Sequence, residues 1–227
     1  MATAIPLSEP QLGRLARLKT ATLSDALDSL GIVGGCQGLL PLARGTRIAG
    51  PALTLRYLPA GLSGGTVGDY LHLAKQGDVI VIDNAGRTDC TVWGGILSEL
   101  AHKAGVAGTV IDGVSRDVDR TIELGYPMFS RGAHMVTGKG RIALEQINGP
   151  VALGRVRVEP GDIVVGDDSG VVVIPASRFE DVLEKAIAID EAEQAVLKDV
   201  AGGMSLEAAR KRHNYHLLQA RTGRGTK

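Results

Sequence analysis

Apolar and polar positions change period several times along the chain, and each change marks an element. "DVIVID" (78–83) is a β-branched run without polar alternation, the pattern of a strand buried on both faces. "WGGILSELAHKAG" (93–105) carries apolar residues at helical spacing and stops on Gly105; "GTVID" (108–112) is a second buried strand. Together they predict a βαβ unit whose right-handed crossover makes the strands parallel and brings both carboxyl ends to one sheet edge. Upstream, residues 8–31 predict helix in two pieces. Ser8 caps the first, with Pro10 in its first turn, and Thr22 or Ser24 caps the second, which stops at Gly31. "PALTLRYL" (51–58) alternates as a strand, and "GLSGGTVGDYLHLAKQ" predicts a loop leading to a short helix.

Downstream, a short helix around 117–124 leads through "GYPMFSRG" to strands in "VRVEPGDIVVGDDSGVVVIP". Pro160-Gly161-Asp162 and the turn Asp167-Asp168-Ser169-Gly170 predict antiparallel hairpins there. Ser177 and Glu180 predict a capping box for a long helix, and the tail after Gly203 one more helix with a basic end. With no internal repeat and no linker, residues 1–227 are expected to form one domain, with a helical tail over 177–227.

Charge narrows the choice of partners. Lys+Arg and Asp+Glu are 25 each, so no global field draws nucleic acid or acidic lipid, and neither is expected as a partner. Aromatics at 3% argue against base stacking, while 31 glycines imply tight turns and close backbone approaches. Cys36 and Cys90 sit in no CxxC or Cys/His cluster, which fits a reducing compartment. "MATAIPLSEPQLGRL" has no signal-peptide core, so a cytoplasmic location is expected.

The candidate chemistry lies at the carboxyl edge of the two strands, where open α/β sheets collect ligands. Gly94 and Gly95 open the helix, so that its free N–H groups can receive a small anion and the missing side chains let it come close. In "DGVSRD" (112–117), Arg116 offers a fork for a carboxylate and Asp117 a hard oxygen for a divalent cation. Taken singly, an Arg-Asp pair is more often a helix cap with a salt bridge, and Gly-Gly more often tight packing. Their convergence favours a small 2-oxo acid site.

Other candidates read as bland. Asp83, Asp89, Asp112 and Asp119 are expected in turns or solvent, and Lys75, Lys103 and Lys139 on the surface. His72, His102 and His134 are scattered; His213 and His216 have ligand-like spacing on what reads as a solvated helix face. Trp93 either walls the pocket or packs.

"GDVIVIDNAG", "GGILSELAHKAGVAGTVIDGVSRDVD", "YPMFSRG" and "PGDIVVGDDSGVVVIP" occur in an order that resembles the RraA-like family over about residues 20–195. That family includes regulators of ribonuclease E activity and class II pyruvate aldolases. The resemblance implies a swivelling-domain-like α/β/β fold with a central βαβ unit and a long C-terminal helix, in homo-trimers or hexamers with sites between subunits. It implies that Asp117 ligates Mg²⁺ or Mn²⁺, that Arg116 holds substrate, and that the amides of Gly94 to Leu97 bind the pyruvate carboxylate. Glu191 or Glu193 lies where a neighbouring subunit's late helix supplies a glutamate to the site.

The implied function is a divalent-metal-dependent lyase of 2-oxo acids, either cleaving 4-hydroxy-2-oxo diacids or decarboxylating oxaloacetate through an enolate. Where the family's aldolases carry an aspartate this chain has Gly95, which disfavours the aldol reaction; Glu99, one helical turn on, is a partial substitute if it reaches back. The alternative is a non-catalytic regulator that binds a ribonuclease or another enzyme. Methyl transfer to a quinone is disfavoured, because the glycine-rich stretches at 31–38 and 61–68 do not join a strand to a helix.

Overall fold

The computed structural model describes residues 8–62 and 64–219. Two short helices, α1 (Glu9–Leu15) and α2 (Thr20–Ser29), precede strands β1 (Gly35–Cys36), β2 (Leu40–Pro41) and β3 (Ile48–Pro59). Then come β4 (Val79–Thr91), α3 (Gly95–Lys103), β5 (Gly108–Val114), α4 (Val118–Glu123) and β6 (Met128–Ser130). Five strands follow, β7 (Ile142–Ile147), β8 (Val151–Leu153), β9 (Val156–Val158), β10 (Ile163–Asp167) and β11 (Gly170–Ile174). Helices α5 (Phe179–Ala201), α6 (Leu206–Arg212) and α7 (Tyr215–Gln219) end the described chain.

The expected βαβ unit is present, with β4 and β5 parallel from Val79↔Gly108 to Asp83↔Asp112. β3 and β6 extend the parallel block on either side. The order is β1-β11-β10-β3-β4-β5-β6-β2, with β7 on β3 and β8–β9 a separate hairpin. Alternation along β4 sorts the core. Ile80 and Ile82 pack with Ile111, Trp93, Ala101 and Tyr126 beneath α3 and α4. Val79 and Val81 face the opposite way, onto Val110, Phe129, the β8–β9 hairpin and β10–β11. The far face of β10–β11 packs Ile163, Val165, Val172 and Ile174 against α2 and α5. Helix, parallel sheet and antiparallel strands thus follow one another, the α/β/β arrangement expected, and α2 and α5 add a helical layer on the far side. Each fully buried Val or Ile contributes roughly 1.5–3 kcal/mol to holding these layers together.

Several local expectations need correction. Asp167 takes the Thr20 N–H (2.9 Å) and hydroxyl (2.5 Å), so this aspartate from the distant β10–β11 turn caps α2, and Thr22 and Ser24 lie inside the helix. It accepts the Ser169 N–H as well, as its predicted hairpin role requires. Ser177 does not cap α5. Residues 176–178 form a 3₁₀ turn anchored by the Ala176 N–H on Asp162, and helix begins only at Phe179. Ser8 and Gln11 do close a capping box on α1.

β3 and β4 outrun their apolar cores. β3 begins at Ile48 because residues 48–51 pair with β10, and β4 continues to Thr91 through two register shifts beside β5. The tail carries two short helices where one was predicted, and its basic end, 220–227, lies outside the described residues. Among the described residues no helix is long and apolar enough to cross a membrane.

Candidate active site

α3 starts where β4 ends, and α4 starts where β5 ends, so the crossover sets the two helix N-termini side by side. Gly94 caps α3 in extended conformation, and the Gly95 N–H donates to Asp117 Oδ2 at 2.9 Å. Asp117 caps α4 with left-handed backbone (φ 54°, ψ 40°), a conformation that Asp and Asn tolerate better than other side chains. Its carbonyl accepts the Thr121 N–H at 3.2 Å. The Arg116 N–H donates to the Trp93 carbonyl at 3.1 Å, fixing the Arg-Asp turn against the start of α3.

Behind this turn lies a buried polar chain. Trp93 Nε1 donates to Ser98 Oγ (2.9 Å), which bonds Thr121 Oγ1 (2.8 Å), locking α3 to α4. Trp93 itself is buried and stacked on Tyr126 with centroids 6.1 Å apart, so of its two expected roles it packs.

The structure brings the predicted residues together but divides their labour differently. Asp117 already sits on the first free amide of α3, leaving the N–H groups of Ile96 and Leu97 for another anion. Arg116 Nε lies 3.8 Å from Asp117 Oδ2, and the side chains are 43% and 50% exposed, so the pair stands on an open surface of the single chain. Asp117 Oδ1 has no partner among the described residues.

A cation held by one carboxylate, with water and substrate completing its shell, suits Mg²⁺ or Mn²⁺. Asp117 fits that requirement through Oδ1. Among the described residues no group of three or more His, Cys, Asp or Glu side chains forms a closed metal cage.

Glu99 does not reach back to Asp117. Its carboxylate bonds Lys103 (3.0 Å) and Arg120 (3.2 Å), and these cations hold it below the usual carboxylate range. A side chain at Gly95 would meet Asp117 Cβ at 3.3 Å and the Arg120 stem at 3.5 Å, so Arg120 lies over the position left bare by glycine. Arg120 went unnoticed in the sequence, where it reads as an ordinary helical cation. Glu193 accepts the Tyr215 hydroxyl at 2.9 Å, whereas Glu191 is exposed.

Asp112 is neither a turn nor a solvent residue, and Asp83 makes its expected local turn contact with the Ala85 N–H at 2.9 Å while its other oxygen faces the β8–β9 hairpin. Asp112 is buried, pairs with Arg131 (2.5 Å) and accepts the Gly154 N–H; Asp83 accepts the Ala152 N–H. Asp89 pairs with Arg87 at 2.7 Å, and Asp119 is exposed. His213 packs on Asp199 at 2.8 Å and is not freely solvated, while His216 is exposed.

In open α/β sheets the helix N-termini beyond the strand carboxyl ends are a common place for small anions, and Arg116 and Asp117 stand at such a place. The match to known families is specific. Residues 20–173 match the RraA-like family, described as Aldolase/RraA, and the chain belongs to that family. Protein DlpA of Legionella pneumophila is 40% identical over 207 residues, 90% of this chain, but the chain spans only 34% of DlpA's length. A Halalkalibacterium halodurans protein named "Putative 4-hydroxy-4-methyl-2-oxoglutarate aldolase" is 37% identical over 80% of this chain and 86% of its own. Among solved structures, Streptomyces coelicolor RraAS2, titled an unusual member of the RNase ES inhibitor RraA protein family, superposes with a TM-score of 0.76. It is 31% identical, over 84% of this chain and 96% of that one.

Proposed function

We propose that the chain is a divalent-metal-dependent lyase of small 2-oxo acids, with oxaloacetate decarboxylation favoured over aldol cleavage. The observation that carries this reading is the convergence of Arg116 and Asp117 on the N-terminus of α3, through the Gly95 amide at 2.9 Å. The free amides of Ile96 and Leu97, with the Arg116 guanidinium, would grip the substrate carboxylate. Asp117 Oδ1 would hold Mg²⁺ or Mn²⁺, which when bound supplies Lewis-acid polarisation of the 2-oxo group. Arg116 then lies close enough to stabilise negative charge that develops on the substrate as its C–C bond breaks.

Aldol cleavage needs, in addition, a base for the C4 hydroxyl. Gly95 offers none, and Glu99 is committed to two cations. Decarboxylation lacks that requirement. A homo-trimer or hexamer would close the open side of the site, with Glu191 of the late helix the freer donor to a neighbouring copy. Ile96, 80% exposed, and Leu100, 50% exposed, lie on the outer face of α3 beside the pair, where assembly would cover them.

The test is pyruvate release from oxaloacetate and from 4-hydroxy-4-methyl-2-oxoglutarate, with Mg²⁺ or Mn²⁺, with chelator, and with Asp117→Asn, above the metal-only background. Expected is turnover that needs both metal and Asp117, with oxaloacetate the better substrate. Equal rates on the two would contradict the assignment of Gly95. No metal-dependent turnover on either would favour the second reading, a non-catalytic regulator of a ribonuclease or another enzyme, which the likeness to RraAS2 supports.

A further inference from the structure

The opposite face of the same sheet edge carries a concavity of about 420 Å³, within the size range of small-molecule sites. Arg56, Asp83, Ala85, Gly154, Arg155 and Arg157 line it, with apolar wall from Leu58, Pro150 and Val156. Its floor is built from strand ends. Arg56 and Asp83 are register partners on the parallel β3–β4 pair, and both lie on the hairpin side, since Leu55 and Ile82 face α3.

The hairpin wall is held in place. Asp83 accepts the Ala152 N–H at 3.1 Å and Asp112 the Gly154 N–H at 2.7 Å, so carboxylates at the ends of β4 and β5 clamp both sides of it. Gly154, at φ +62°, opens the two-residue turn that places Arg155 at the rim.

The charge balance is one-sided. Three arginines face one aspartate, and both Asp83 oxygens are already bonded, to the amides of Ala85 and Ala152. Arg157 is neutralised by Glu159 at 2.6 Å. Arg56 and Arg155 have no carboxylate or carbonyl partner among the described residues. Two unpaired guanidinium groups on a prebuilt wall, with apolar surface between, present the donors an oxyanion requires.

We infer that this cleft is a second anion site, taking the carboxylate or phosphate of a small organic acid through Arg56 and Arg155. It is separate from the Arg116–Asp117 site, which lies with α3 and α4.

Calorimetric and thermal-shift titrations with sodium phosphate and with sodium succinate, against sodium chloride at equal ionic strength, test it. Expected, in an Arg116→Gln background so that the carboxylate grip proposed at α3 does not contribute, is one-to-one binding of at least one anion and a rise in Tm of about 3–6 °C at tenfold excess over Kd. Arg56→Gln and Arg155→Gln should each weaken binding roughly five- to tenfold, and the double variant should abolish it. Arg116→Gln should leave it intact. Response to phosphate alone marks a phosphomonoester ligand and to succinate alone a dicarboxylate; either supports the site. The inference falls if neither anion outperforms chloride, if binding survives in the double variant, or if it is lost in Arg116→Gln instead.

Discussion

Asp117 carries a structural duty that can be separated from its proposed metal duty. In Asp117→Ala, the Gly95 N–H loses the carboxylate that it meets at 2.9 Å, which costs about 0.5–2 kcal/mol as the loss of a helix cap. Alanine at φ 54° lacks the local polar contacts that let Asp or Asn tolerate the left-handed region, adding about 1 kcal/mol. The half-exposed contact with Arg116 adds little. The sum, about 1.5–3 kcal/mol, corresponds to a fall in Tm of roughly 3–12 °C for a chain of this size. Asp117→Asn keeps an acceptor oxygen and the tolerance for positive φ, losing only the charge at the start of α3, so its Tm should fall by roughly 1–3 °C. Asp117→Gly, relaxed in φ but without a cap, should lie between. Thermal unfolding followed by circular dichroism, in chelator so that bound metal adds nothing to stability, gives the order directly. An alanine variant as stable as the asparagine one would refute the capping role.

Two further expectations follow from the same geometry. A Cβ at Gly94 would sit 2.8 Å from Asp117 Oδ2, whereas at Gly95 its nearest neighbour is Asp117 Cβ at 3.3 Å. Gly94→Ala should therefore displace Asp117 and lower the proposed metal-dependent turnover by on the order of tenfold or more, while Gly95→Ala should stay within about threefold of wild type; steady-state rates at saturating metal decide, and the reverse order would overturn the placement. At the other end of the sheet, burial opposes ionisation of Asp167, but the Thr20 hydroxyl and amide and the Ser169 amide outweigh it and hold this carboxyl below its usual range. A depressed folded pKa contributes stability that is present above the unfolded value and lost as pH falls through the folded one. Asp167→Asn should thus be less stable at neutral pH yet lose less between neutrality and the acid range below about pH 4, in denaturant titrations across pH.

What the sequence disclosed, and what it hid, divides along local and non-local lines. The βαβ unit was legible because "DVIVID" and "GTVID" are too apolar to be anything but buried strands and Gly105, at φ +70°, ends the helix between them. Arg116 and Asp117 were legible for the same reason: they follow directly on a strand end. The cap of α2 was not, because Asp167 reaches Thr20 across 147 positions, and Thr22 and Ser24 are equally good capping types nearby. Ser177 and Glu180 have capping-box spacing, but Pro175 and the hold of Asp162 on Ala176 turn the backbone tighter before α5 can begin. Asp112, followed by Gly113, reads as a turn residue; it is buried because β5 runs on to Val114 and because Arg131, just past β6, pairs with it, and no local spacing reveals that partner.

The same alternation explains how one sheet edge can carry two sets of charge without mixing them. β5 turns Ile111 toward α3 and Asp112 toward the hairpin, then delivers its chain past Ser115 to Arg116 and Asp117 at the foot of α3 and α4. Asp112 is therefore spent on architecture, clamping Gly154 and Arg131, while Asp117, five residues on, keeps one oxygen free. Two aspartates that flank a single turn in "DGVSRD" look interchangeable as text. Their faces differ, and so does what each can do: a buried carboxylate bonded through both oxygens is closed off from a ligand, and a half-exposed one with a single amide partner is open to it.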